Sequence, residues 1–168
     1  MKPSLVFSAL LLFLCSSYTL ALDIQRYNQH AEDSIRMIRD GRIDIQHLIT
    51  LQEQLIRLGV TAIKTYGDRA KPHATMLREV AANAERMKNM SLTDIEQQWH
   101  RGGFLKTKGY SIDALDHFGA VNSLMDAVIH PATAYICLKN YQQHPDQALL
   151  DQVVAELTEV MEHIKFVP

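Results

Sequence analysis

Two Asp-x-x-x-His pairs, Asp113/His117 and Asp126/His130, stand close together in the second half of the chain. On a helix this spacing puts carboxylate and imidazole one turn apart, where they can meet. Imidazole with carboxylate is a donor set for Zn, Cu, Fe or Ni. The carboxylate can also serve one step back, orienting a ligating histidine. The same spacing fits a salt-bridged structural histidine that needs no ligand. The metal-ligand candidates are therefore His100, His117, His130, Asp113 and Asp126. His100 enters as a third donor from the segment that ends in Trp99-His100.

Around His130 the types suggest a buried polar site. Ser123, His130 and Cys137 recur at seven-residue intervals, which aligns them on one helix face. Asp126 and Asn122 lie one and two turns before His130. A cofactor or small ligand in this region would be held by His130, Asp126, Cys137 and Asn122. Pro131 lacks an N–H, so it frees the backbone carbonyl one turn earlier, at Ala127, for a ligand, a water or a side chain. His117 and His130 pose a geometric difficulty: on one straight helix they stand roughly 220° apart. A shared site then needs a bend at Pro131 or groups from neighbouring helices.

Absent motifs narrow the chemistry. There is no Cys-x-x-Cys-His, which excludes covalent c-type haem, while b-type haem held by axial His or Met stays open. No Glu-x-x-His occurs, which argues against a ferritin-like di-iron site. His-Glu-x-x-His, Gly-x-Ser-x-Gly and a phosphate loop are missing too. Most of the Met residues fall at apolar helix positions and read as core rather than as copper ligands. His163 follows Glu159 by four residues and reads as a surface ion pair.

The elements that position these residues read as helices throughout. Apolar stripes mark segments over about 24–39, 44–66, 72–90, 113–141 and from 146 onward, with a short helix from Ser91 to His100. Asp44 is a natural N-cap, and Ser91-Leu-Thr-Asp94 resembles a capping box. Arg101–Ser111, with three Gly and several basic residues, reads as the one long loop. Phe118–Leu138 is apolar nearly all round, as a central buried helix is. No strand alternation is present. The fold class is all-α: a four-helix-bundle-like domain over 22–168, with a short extra helix and a central helix bent at Pro131.

Residues 1–21 read as a secretory signal peptide. Lys2 precedes the apolar run 5–14, and Thr19-Leu20-Ala21 suits a cleavage site. A lipoprotein cut before Cys15 is the rival reading, but Leu14 is unsuited to the preceding position. Cleavage after Ala21 leaves Cys137 as the lone cysteine, in a periplasmic or secreted chain with no later apolar span. Losing Lys2 shifts the formal charge from −2 to −3, which excludes a basic nucleic-acid binder.

The functional expectation is an exported binding protein that holds a transition metal or noncovalent haem against the fourth long helix. One alternative is a small-molecule sensor with a pocket near Trp99, Asn122, Ser123 and the basic loop. Another is a structural or interaction protein, with a homodimer formed through an apolar helix face. No motif pairs a nucleophile with a positioned base, so binding is expected rather than turnover.

Overall fold

A computed structural model describes residues 22–67 and 72–167. The helices are α1 (Ile24–Arg39), α2 (Ile45–Gly67), α3 (Ala74–Met87), α4 (Leu92–Ile95), α5 (Gly103–Thr107), α6 (Ala120–Gln143) and α7 (Gln147–His163). No strand occurs among the described residues. The all-α, bundle-like class therefore holds. The expected signal peptide and the Cys15 alternative lie outside the described residues. Among those described, no helix is long and apolar enough to cross a membrane.

Local chemistry explains the helix starts. The carboxylate of Asp23 accepts from the backbone N–H of Arg26, and that of Asp44 from His47, each at 3.0 Å. Ser91 Oγ accepts from the Asp94 N–H at 3.0 Å and donates back to its carboxylate at 2.7 Å. These bonds satisfy N–H groups that a helix start leaves without partners.

The central element is α6. It packs against α2, α3 and α7, while α1 closes the bundle against α2 and α7. Its side chains from Ser123 to Leu138 are buried apart from Asp126 and Tyr135. Leu124, Val128 and Leu138 are wholly enclosed, and each such side chain stabilises the fold by about 1.5–3 kcal/mol.

The helix runs through Pro131 without interruption. The carbonyl freed at Ala127 accepts a hydrogen bond from the Tyr27 hydroxyl at 3.0 Å, across to α1. Burial, and then the charge of Asp126, push the Tyr27 pKa well above its ordinary value, so the hydroxyl stays a donor. Gly59 on α2 meets α6 at the same carbonyl: a β-carbon there would stand 2.4 Å from the Ala127 oxygen. Pro131, Tyr27 and Gly59 thus form one joint between α1, α2 and α6.

Two expectations need correcting. The helix expected from Asp113 begins only at Ala120. Ile112–Ala114 is instead a single 3-10 turn, and the Asp116 carboxylate bonds the Phe118 N–H at 3.1 Å, holding a turn ahead of Gly119. The stretch 101–111 is not all loop. Gly102, at φ 66°, reverses the chain and α5 follows, burying Leu105 and stacking Phe104 on Trp99 with ring centroids 4.7 Å apart. Trp99 is a buried core anchor.

Candidate metal centre

Side chains from three parts of the chain converge beside α6. Asp126 and His130 stand one turn apart on α6, and Glu156 and His163 project from α7. Seven residues separate the α7 pair, so both lie on one flank of that helix, next to its buried stripe. His100 arrives at the end of a π-helical turn, Glu96–His100, that continues α4. Its signature is the Arg101 N–H bonded to the Glu96 carbonyl at 2.9 Å, one residue wider than an α-helical bond.

The nitrogens of His130 face opposite carboxylates. Nδ1 lies 2.7 Å from Glu156 Oε2, and Nε2 lies 3.9 Å from Asp126 Oδ1. The other Asp126 oxygen is hydrogen-bonded to His163 Nδ1. It also accepts from Asn122 Nδ2 at 3.1 Å. His100 Nε2 stands 2.9 Å from Thr133 Oγ1 and 3.8 Å from Glu156 Oε2. The ring of His130 sits edge-on between those of His100, at 5.0 Å, and His163, at 5.9 Å. His130 is 3% exposed and His163 4%; the Asp126 and Glu156 side chains are each 13% exposed.

Two groups have donor atoms close enough together to hold a metal ion: Asp126, His130 and His163, and His100, His130 and Glu156. Within each group the atoms lie within 4.8 Å of one another. No Lys or Arg forms an ion pair with Asp126 or Glu156 among the described residues; their charged-group partners are the imidazoles.

The electrostatics differ between neighbouring rings. Burial works against a charged His130, yet the Glu156 hydrogen bond and the charges of Asp126, Glu156 and Glu159 together raise its pKa above the ordinary value. Burial lowers the pKa of His100, and the nearby carboxylates only partly offset this.

A cavity of about 450 Å³ opens onto the first donor group. Asp126, His130 and His163 line it, with Trp99, Met125 and Ile129 as apolar walls and Arg101 and Lys106 among its cations.

The other candidates from the sequence take different places. Asp113 is exposed and pairs with Lys106 at 2.9 Å, so it lines the cavity without joining either donor group. His117 lies in the loop before α6, not on that helix, which removes the angular difficulty with His130. Its ring meets His163 edge-on at 4.7 Å, but it belongs to neither donor group. Cys137 is fully buried, its thiol pushed up to about 12 first by burial and then by Glu156, and it too stands outside both groups. Ser123 is buried, and its hydroxyl has no hydrogen-bond partner among the described residues.

Sequence reasoning missed Glu156 and misplaced His163, which is buried rather than paired at the surface with Glu159. The signal was present. Val160 on α7 and Ile164 just after it flank His163 and are buried, so His163 stands on the margin of the face that packs inward.

The sequence matches no protein-family model, and neither the curated proteins nor the solved structures contain a match to it.

Proposed function

We propose that this protein binds a divalent transition metal through Asp126, His130 and His163. The carrying observation is that three donors of the right chemistry converge, largely buried, on a cavity wall. Glu156 supports the reading from the far side of His130. Its 2.7 Å hydrogen bond to Nδ1 fixes the ring and leaves Nε2 turned toward Asp126. Two imidazoles and one carboxylate suit Zn, Cu, Fe or Ni, and the cavity leaves coordination positions for water or a small ligand. Carboxylates on both sides of His130 favour a small cation over the apolar macrocycle of haem. Export through residues 1–21 belongs to the same proposal and is tested by cell fractionation.

The test is the metal content and visible spectrum of protein purified without a metal-binding tag. A stoichiometric metal, lost in Asp126→Asn and His163→Ala variants that keep their helical circular dichroism, is the expected result. Colourless protein that neither carries metal nor gains thermal stability from added Zn(II), Cu(II) or haem refutes it. The cluster would then be a set of buried ion pairs.

A further inference from the structure

The two donor groups share one residue, and they reach it from opposite sides. Glu156 stands at Nδ1 of His130, with His100 Nε2 3.8 Å from the same Glu156 oxygen. Asp126 stands toward Nε2, with His163 bonded to Asp126. The lone-pair directions of the two ring nitrogens diverge, so one ion cannot take both. The geometry points to a second cation site, formed by His100, Glu156 and His130 Nδ1, in which the His130 ring bridges two metal ions. This inference rests on the metal reading above and extends it from one ion to two.

Charge favours the second ion. An imidazole that ligates through one nitrogen is neutral. With one ion bound by Asp126, His130 and His163, the Glu156 carboxylate faces two neutral rings. Its side chain is 13% exposed, and no Lys or Arg pairs with it among the described residues. Its other oxygen has only the Gln152 amide, at 3.4 Å. A carboxylate so placed needs a cation or strong donors. His100 is already aimed at the cluster. The Thr133 hydroxyl bonds the Ile129 carbonyl at 3.1 Å, so its oxygen is free to accept from His100 Nε2 at 2.9 Å.

The proton balance is simple and no electrons move. His130 releases its remaining ring proton to solvent as the second ion takes Nδ1. His100 keeps its single proton, which passes from Nε2 to Nδ1 as Nε2 exchanges Thr133 for the metal.

The experiment loads purified protein with Cu(II), strips weakly held ions over a chelating resin, and compares copper content with the integrated electron paramagnetic resonance signal. Two Cu(II) joined through one ring couple magnetically, so the expected result is two ions per chain with far less signal than copper. His100→Ala and His100→Gln each reduce the content to one ion and restore full signal. Two ions with full signal in the unmodified protein overturn the bridge. One ion in the unmodified protein and in both variants overturns the second site and leaves the proposed function standing. No retained copper overturns both.

Discussion

Replacing Tyr27 by Phe removes one oxygen atom and tests how this fold accommodates a proline in its central helix. The Ala127 carbonyl has no partner within α6, because residue 131 has no N–H, and Tyr27 supplies one at 3.0 Å in a fully buried setting. Phe keeps the ring packing and orphans the carbonyl. Leaving a buried acceptor unpaired costs about 1–3 kcal/mol. For a domain of this size, each kcal/mol lowers Tm by roughly 2–4 °C. The expected fall is therefore about 2–12 °C. The sharper form is a double-mutant cycle with Pro131→Ala. Alanine restores the N–H at position 131, so the carbonyl regains its helical partner and loss of the Tyr27 hydroxyl should cost about 1 kcal/mol or less. Urea denaturation of the four proteins, in chelator, measures the coupling. Equal costs for Tyr27→Phe in both backgrounds would refute the idea that the hydroxyl replaces the bond forbidden by Pro131.

Three further outcomes follow from features of the same core. Gly59→Ala places a β-carbon 2.4 Å from the Ala127 oxygen, forcing α2 off α6; a loss of about 1–3 kcal/mol in urea melts is expected, and an unchanged midpoint counts against the close approach. The Cys137 thiol, enclosed and pushed up to about 12, stays unmodified by iodoacetamide at pH 8 until denaturant is added; peptide mapping that finds rapid native labelling contradicts its burial. In metal-free protein the folded pKa of His130 lies above its unfolded value of about 6.5. Its contribution to stability is therefore complete below that pH and lost as pH rises through the folded value, a slope that His130→Gln removes. The same slope in both proteins would assign the pH dependence to other groups.

The legible parts of this chain are those encoded within single helices. The Asp126/His130 spacing, the Asp44 and Ser91 caps, the enclosure of α6 and the freed Ala127 carbonyl all depend on residues within a few positions of one another. What escaped depends on registers between helices. Glu156 and His163 look like ordinary polar residues on the edge of an amphipathic stripe; only the rotation of α7 against α6 turns that edge inward. His117 reads as helical because apolar periodicity reaches back toward Asp113, whereas Asp116 and Gly119 favour a turn there. His100 stands out by its neighbours, but 3.6 residues per turn gives the wrong direction across a π-turn.

That π-turn sets how far the chain beside the cluster can change in length. A π-turn is what an α-helix becomes when it absorbs a single-residue insertion without unwinding. Excising one residue between Glu96 and His100 would return the segment to regular α-helix with His100 still on the Glu156 side of the axis, because the wider turn already takes up the extra residue. The shortened chain would keep the donor triad of Asp126, His130 and His163, because none of it depends on this turn. Chain length at this turn can thus change by one residue without dispersing either cluster of donors.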